Sequence, residues 1–261
     1  MNVDTYLQRI RYDGTREPTV ATLRKLHRAH LFAVPFENLD IHLGRPITLS
    51  LPAFYDKIVQ HQRGGFCYEL NGLFSWLLEQ LGFTVRLLSA QVFQDEQRGP
   101  EFDHLLLLVD METPWIADVG FGDLFLEPLP LTLEQETPQN GSTFRFVRSS
   151  TGYILQRRRN ADWESEYAFS LAPRQLADFQ EMCRYQQTSP ESHFTQKTVC
   201  SLATPTGRIT LSNHRLITTK SGQREEREVK NEAEYRGILK HSFGMDLQEN
   251  TKLTGKEKFA F

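Results

Sequence analysis

The chain has 261 residues, 39% of them hydrophobic, and a formal net charge of -3 at pH 7. This length can bury a sizeable core, and the small negative charge argues against nucleic-acid or anionic-membrane binding. The sequence starts without the apolar segment of a signal peptide, and no apolar run approaches the ~18 residues of a membrane span. Three cysteines form no C-x-x-C pair, so we expect free thiols and a cytoplasmic protein.

The N-terminal third of the chain has apolar residues at helical spacing. Two helices are predicted at about 4–12 and 19–32, and a third follows Ser50, which can cap its start. A fourth helix spans 67–81 and has one continuous apolar stripe. These elements predict a helical domain over residues 1–83.

The apolar period changes to two in the middle of the chain. A domain over residues 84–190 is therefore expected to be an antiparallel sheet curled into a barrel. Its predicted strands are 84–93, 105–109, 115–119, 143–148 and 153–158.

The remaining residues, 191–261, are expected to form an α/β lid domain. Two strands at 198–203 and 208–217 form a hairpin, and the charged stretch 220–230 is interpreted as a solvated loop. A last helix runs from about 231 to 241. The predicted fold class is thus α+β, with a helical N-terminal bundle, a central antiparallel β-barrel and a C-terminal α/β lid.

Cys67 is the first candidate for chemistry because it stands at the start of the fourth predicted helix. The two glycines at 64–65 supply a tight turn that lets the backbone approach a ligand closely. Unpaired N–H groups and the helix dipole at this end can lower a thiol pKa from ~8.5 to between ~3.5 and 7.5. Cys67 is therefore a candidate nucleophile, although most free cysteines are simply small core residues.

His104 and Asp118 lie on two strands of one predicted hairpin. If Val109 faces Trp115, the two side chains become diagonal neighbours on one face, with Cβ atoms roughly 7–8 Å apart. A register tighter by one residue on each strand would place them directly opposite, and only an odd-sum register would separate them. A buried carboxylate at Asp118 needs hydrogen bonds, and the Nδ1–H group of His104 is the expected donor.

Taken alone, His104 would be an ordinary core histidine and Asp118 a turn residue. Together with Cys67 they supply a nucleophile, its base and a carboxylate that orients the base. His27 and His30 can share a helix face, but they lack the further ligands that a zinc site needs. We therefore expect no metal.

Three motifs of this sequence resemble the catalytic blocks of the arylamine N-acetyltransferases. The segments 18–39 and 200–207, and more weakly the ending at 258–261, match other blocks of the same family. The resemblance covers nearly the whole chain in order. The three motifs are Arg63-Gly64-Gly65-Phe66-Cys67, His104-Leu105-Leu106-Leu107 and Asp118-Val119-Gly120-Phe121-Gly122.

The resemblance implies a helical domain, a β-barrel and an α/β domain that covers the cleft, around a cysteine-protease/transglutaminase-like Cys-His-Asp core. It also implies ping-pong transfer of an acetyl group from acetyl-CoA to an arylamine, arylhydrazine or arylhydroxylamine. The expected partners are therefore coenzyme A and a small arylamine or hydrazine.

The family motifs also imply roles for single residues. Cys67 would be the nucleophile, His104 its partner and Asp118 the orienting carboxylate, while Arg63 and Glu37 would form a structural ion pair. No residue for coenzyme A is fixed by the motifs. The acceptor pocket would be lined by Phe36, Val92, Phe93 and Phe121.

Other functions use the same order of catalytic residues. Cysteine proteases and transglutaminases also use Cys, His and Asp, with a peptide as the acyl donor. An amide synthase of antibiotic biosynthesis would share the fold and take its acyl group from a carrier protein. A catalytically silent small-molecule binder is a further alternative, which the intact triad disfavours.

Overall fold

The computed structural model describes residues 1–94 and 96–247. Helices and two antiparallel sheets make up this part of the chain, and the larger sheet is a nearly closed barrel. The predicted α+β class is therefore confirmed. Over these residues, no helix is both long and apolar enough to cross a membrane.

Four N-terminal helices begin within one residue of their predicted starts, and a short further helix, Leu39–Leu43, was not predicted. Asn2 caps the first helix through the N–H of Thr5 at 2.9 Å, and Thr19 caps the second through the N–H of Thr22 at 3.2 Å. Ser50 stands at the N-cap of the helix Leu51–Tyr55, as predicted, but its side chain accepts no capping bond. The helices are α1 (Val3–Arg9), α2 (Val20–Ala33), α3 (Leu39–Leu43), α4 (Leu51–Tyr55) with a π-helical turn after it (Asp56–Gln60), α5 (Cys67–Gln80), α6 (Gln180–Thr188) after a 3₁₀ turn (Leu176–Phe179), α7 (His193–Gln196) and α8 (Glu232–Phe243).

The larger sheet has nine strands, eight of them in the order β6-β5-β4-β2-β10-β9-β8-β7, with the short β3 paired to β2. Strand β10 (Trp163–Phe169), whose last four residues are all buried, was not predicted from the sequence. The other strands are β2 (Thr84–Gln94), β3 (Gln97–Arg98), β4 (His104–Asp110), β5 (Trp115–Ala117), β6 (Leu129–Pro130), β7 (Thr137–Gln139), β8 (Ser142–Ser149) and β9 (Gly152–Arg158).

Strands β4 and β5 pair in the first of the predicted registers. Val109 faces Trp115 and Leu107 faces Ala117, so β5 ends just before Asp118. Every second residue of β4 from Leu106 onward faces the barrel interior, while the residues between them pack against the helices. His104 begins β4 on the interior face.

The smaller sheet corrects two sequence predictions. The single strand predicted at 208–217 is two strands that turn at Asn213, whose φ of 48° is left-handed. The loop predicted at 220–230 contains a regular edge strand with all six residues exposed, so apolar alternation could not reveal it. The order is β1-β11-β12-β13-β14, with β1 (Phe36–Glu37), β11 (Val199–Thr204), β12 (Gly207–Ser212), β13 (Arg215–Lys220) and β14 (Gln223–Glu228).

Three hydrophobic clusters form the core of the described chain. One joins the N-terminal helices to the outer face of β4, one fills the barrel, and one lies between α8 and the smaller sheet. The first cluster also contains Phe179 and Cys183, and the third contains Leu39, so the clusters extend across the three predicted domains, whose boundaries remain a prediction. The family match at 258–261 lies outside the described residues.

Asn231 provides a test of the capping that begins α8. Its side chain accepts the N–H of Glu234 at 2.9 Å, so Asn231→Ala is expected to lower the free energy of unfolding by about 1 kcal/mol. Ser50→Ala is the matched control, because Ser50 occupies an N-cap without a capping bond. Chemical denaturation of both variants measures the difference, and equal losses would contradict the role of the Asn231 side chain.

Candidate active site

Cys67 is the first residue of α5, and its side chain is buried at 3% exposure. The helix start is closed by Glu69, whose Oε2 accepts the backbone N–H of Phe66 at 3.1 Å. On the other side, the N–H of Glu37 donates to the carbonyl of Gly65 at 2.8 Å. The thiol therefore projects from a helix end that is fixed on both sides.

A buried network of charges lies beneath this helix start. Lys57 Nζ donates to both oxygens of Glu69 at 2.9 and 3.0 Å, and Arg63 Nη2 donates to Glu37 at 2.7 Å and to Asp40 at 3.1 Å. The ion pair of Arg63 and Glu37 that the resemblance implied is thus present. Burial raises the pKa of Glu69 to about 7, although Lys57 opposes the shift.

His104 and Asp118 are joined by a short hydrogen bond, from His104 Nε2 to Asp118 Oδ2 at 2.8 Å. Both side chains are almost completely buried, at 4% and 0% exposure. The sequence prediction of Nδ1 as the donor is wrong, because the ring approaches the carboxylate with its far nitrogen. Nδ1 is consequently the nitrogen that remains for another partner.

Asn71, which was not predicted from the sequence, joins α5 to this pair. Its Nδ2 donates to Asp118 Oδ1 at 2.9 Å and to the carbonyl of Leu105 at 2.6 Å, while its Oδ1 accepts the N–H of Val119 at 2.8 Å. Asn71 is one helical turn after Cys67, and that i to i+4 spacing was the available clue. A single amide thus fixes the Cys67 helix to β4 and to the segment that follows β5.

Gly120 lets the turn after Asp118 approach the start of α5. Its N–H donates to Asp118 Oδ1 at 3.0 Å. A Cβ atom at this position would lie 2.7 Å from Asn71 Nδ2 and 2.8 Å from the Cα of Cys67. Only glycine therefore allows this contact between the turn and the helix.

The electrostatics of Cys67 differ from the sequence expectation of a lowered pKa. Burial raises the pKa of the Cys67 thiol well above its usual value, and the nearby carboxylates of Asp103 and Asp118 add to this. A hydrogen bond from the backbone of Leu105 acts in the opposite direction. The neutral thiol is therefore favoured in the closed site, and a base is needed to remove its proton.

The predicted pocket residues do not all face the same way. Phe36 lies beside Gly65, and the ring of Phe121 meets His104 edge-on at 5.3 Å. Val92 pairs with Tyr167, whose ring stacks on His104 at 5.6 Å. Phe93 is the next residue of the strand, so its side chain is on the opposite face.

Phe194 is a further aromatic neighbour of the site, which was not predicted from the sequence. Its ring lies 6.1 Å from that of Phe36 and 5.9 Å from that of Phe66, so it connects α7 to the residue before Cys67. A cavity of about 850 Å³ lies elsewhere, between residues 46–49 and the 3₁₀ turn with α6. The candidate site itself is closed, because Cys67, His104 and Asp118 are almost fully buried.

Among residues 1–94 and 96–247, no group of three or more His, Cys, Asp or Glu side chains is arranged to hold a metal ion. The chemistry that the described residues support is nucleophilic. Cys67 offers a thiol, His104 a base with a free nitrogen, and Asp118 a carboxylate that fixes the ring.

Comparison with known proteins shows which family this chain resembles over most of its length. A family model described as N-acetyltransferase matches residues 19–252. The arylamine N-acetyltransferase / N-hydroxyarylamine O-acetyltransferase of Salmonella typhimurium is 37% identical, over 94% of this chain and 89% of its own length. The pineal gland isozyme NAT-3 of arylamine N-acetyltransferase from Gallus gallus is 35% identical, over 99% and 96%.

Solved structures show the same relationship. The arylamine N-acetyltransferase of Salmonella typhimurium superposes with a TM-score of 0.90 at 34% identity, covering 96% of this chain and 94% of that one. The Mycobacterium marinum enzyme, solved in complex with CoA, superposes with a TM-score of 0.87 at 32% identity, covering 94% and 93%.

Gly120→Ala tests the contact between the turn and the helix. The new Cβ would displace the Asn71 amide or the helix start, and such overpacking destabilises by about 1–3 kcal/mol. Gly237→Ala in α8 is the control, because among residues 1–94 and 96–247 no atom outside the neighbouring backbone of the helix lies within 4 Å of its added Cβ. Thermal unfolding should show a lower melting temperature for Gly120→Ala only. An unchanged melting temperature for that variant would mean that the helix start is free to move.

Proposed function

Because the chain belongs to the arylamine N-acetyltransferase family, we propose that it transfers an acetyl group from acetyl-CoA to the nitrogen of an arylamine or arylhydrazine. The transfer proceeds in two steps through an acetyl group held on Cys67. One observation supports this proposal above the others: the 2.8 Å bond between His104 and Asp118 lies beside the helix start that carries Cys67.

In the first step, His104 is the base and Cys67 the nucleophile. Nδ1 of His104 takes the thiol proton, since Nε2 is held by Asp118. The thiolate attacks the carbonyl carbon of the acetyl thioester, and the bond from that carbon to the sulfur of coenzyme A breaks. The leaving thiolate takes the proton back from His104, so coenzyme A departs as a thiol. The backbone N–H of Cys67 is suited to stabilise the oxyanion, because it is a first-turn N–H of α5.

In the second step, the amine nitrogen attacks the acetyl group on Cys67. His104, now neutral, accepts the proton that the nitrogen loses, and the carbon–sulfur bond to Cys67 breaks. The proton then passes to the departing sulfur and restores the thiol. Throughout both steps Asp118 keeps the ring of His104 in one orientation and stabilises its charged form.

The side chains near the triad suit an uncharged aromatic acceptor. The ring of Phe36 lies beside Gly122, the residue after Phe121, because a Cβ added at Gly122 would lie 3.4 Å from that ring. We propose that Phe36, Phe121 and Val92 line the acceptor pocket, with Phe194 as an additional wall. Phe93 remains a weaker candidate, because it is on the other face of β2.

The comparisons also bear on the donor and on further acceptors. The CoA complex of the Mycobacterium marinum relative supports coenzyme A as the carrier of the acetyl group. The name of the Salmonella relative includes O-acetyl transfer to N-hydroxyarylamines. Since an arylhydroxylamine has the same aromatic body, we include this class among the acceptors of the present chain.

The acetyl-enzyme provides the direct test. Mixing the protein with acetyl-CoA and no acceptor should add one acetyl group, and peptide mapping should place it on Cys67. Added aniline should discharge it, and Cys67→Ser should form no stable adduct while keeping the melting temperature of the native chain. Absence of the adduct, with Cys67 still reactive, would contradict acetyl-CoA as the donor and favour the carrier-protein alternative.

The role of His104 predicts a change in pH dependence. Burial raises the pKa of Cys67, so without a base its thiolate fraction falls about tenfold for each pH unit below that pKa. In His104→Gln we therefore expect iodoacetamide labelling of Cys67 at pH 7 to fall by about tenfold or more and to rise steadily with pH.

Cys183 and Cys200 are internal controls for this labelling. Burial raises the pKa of Cys183 to about 12 and also raises that of Cys200, and neither contacts a histidine in the described structure. Both should label slowly in the native chain and in the variant. Labelling of Cys67 that is unchanged by His104→Gln would mean that His104 is not its base.

A further inference from the structure

His27 lies in α2 and connects this helix to both ends of the segment 118–126. Its Nε2 accepts the backbone N–H of Asp118 at 3.1 Å, and its Nδ1 lies 2.8 Å from the carbonyl oxygen of Leu126. A backbone N–H only donates and a carbonyl only accepts. The ring is therefore neutral, with its proton on Nδ1, and both nitrogens are used.

The contacts around His27 hold the same segment against α2. Its ring stacks on Phe125 at 5.6 Å, and Arg28, one residue further along α2, pairs with Glu127 at 2.9 Å. Arg24 lies 3.8 Å from the same carboxylate and over the ring of Trp115. One face of α2 thus anchors the chain immediately before and after the turn that carries Asp118.

Burial keeps the ring of His27 in its neutral form. The side chain is fully buried, and this lowers its pKa to about 4. Asp118 and Glu127 act in the opposite direction, while His30 is the neighbouring titratable group on the same helix. At neutral pH the acceptor for the Asp118 N–H is consequently always available.

We propose that His27 is a positioning residue, which fixes the backbone of Asp118 and thereby the orientation of His104 during acetyl transfer. This inference rests on the proposed function. The carboxylate of Asp118 is held by His104, Asn71 and Gly120, but these three contacts leave its backbone N–H to His27.

Loss of the ring would leave two buried backbone groups without a partner. In His27→Leu the N–H of Asp118 and the carbonyl of Leu126 lose their bonds, and an unpaired buried group favours movement toward another partner. In His27→Gln the carboxamide oxygen can accept from Asp118 while its NH₂ donates to Leu126. The two variants therefore separate the hydrogen bonds from the bulk of the side chain.

His30→Leu is the matched control. His30 is also fully buried on α2, and its Nδ1 lies 3.1 Å from the hydroxyl of Tyr6. Within the described residues it makes no hydrogen bond to the segment 118–126. Its replacement removes a buried histidine from the same helix without touching Asp118.

The experiment measures iodoacetamide labelling of Cys67 against pH, together with kcat and KM for acetyl transfer. For His27→Leu we expect labelling at pH 7 and kcat to fall by about tenfold or more, with a smaller change in KM. His27→Gln should remain within about threefold of the native chain. His30→Leu should lower the melting temperature but leave the pH profile of Cys67 unchanged.

Two results would overturn the inference. One is a pH profile of Cys67 labelling in His27→Leu that matches the native profile. The other is a loss of Cys67 labelling in His30→Leu as large as that in His27→Leu. Should His27→Leu not fold, His27→Asn replaces it, because its shorter amide can reach only one of the two backbone groups. Its profile should then lie between those of the native chain and His104→Gln.

The labelling experiment contains no acetyl-CoA, so it is independent of the donor. If native protein forms no acetyl adduct, the proposed function fails. The pH profile of Cys67 labelling in His27→Leu can still be compared with the native profile. If the adduct forms normally in native protein but His27→Leu behaves like His30→Leu, only the positioning role fails.

Discussion

The buried carboxylate of Asp118 is the constraint on which the site depends. An ionised carboxylate out of water is costly unless it is fully hydrogen-bonded, and Asp118 has 0% side-chain exposure. Its donors come from three places: Asn71 on α5, His104 at the start of β4, and Gly120 in its own turn. His27 on α2 accepts its backbone N–H. Two helices and a strand must therefore converge at Asp118. The geometry of the His104–Asp118 pair consequently depends on the packing of α2, α5 and β4 against one another.

A second buried set of charges fixes the helix start that carries Cys67. Glu69 closes the start of α5 and is held by Lys57, while Arg63 is bound to Glu37, the last residue of β1. These charged contacts hold the backbone around Cys67 on one side. Asn71 and Gly120 hold it on the other side, where it meets the segment after β5. Because both sides consist of buried polar contacts, removal of one partner would leave another unpaired, so the position of Cys67 relative to His104 is strongly determined.

Much of this site could be predicted from local patterns, and the rest depends on distant contacts. Helical spacing located Cys67 at a helix start, and hairpin pairing brought His104 and Asp118 to one face in the observed register. Asn71 could have been found as the polar residue one turn after Cys67. His27 could not, because its partner Leu126 is 99 residues away and no periodicity encodes that contact. Strand β14 was not predicted for a different reason. Its exposed, mostly charged residues are compatible with an edge strand but produce no apolar alternation in the sequence.

The burial of the site also reconciles the raised pKa of the Cys67 thiol with the nucleophilic role that we propose for it. A dry environment disfavours an isolated thiolate, but it strengthens the attraction between a thiolate and a nearby imidazolium. In the proposed mechanism the proton therefore passes directly from Cys67 to His104, and the carboxylate of Asp118 stabilises the resulting charge on the ring. The same exclusion of water would protect an acetyl thioester on Cys67 from hydrolysis until an amine enters. Raising the pKa of the free thiol and preserving the acyl intermediate are thus two consequences of a single feature, the closed packing around Cys67.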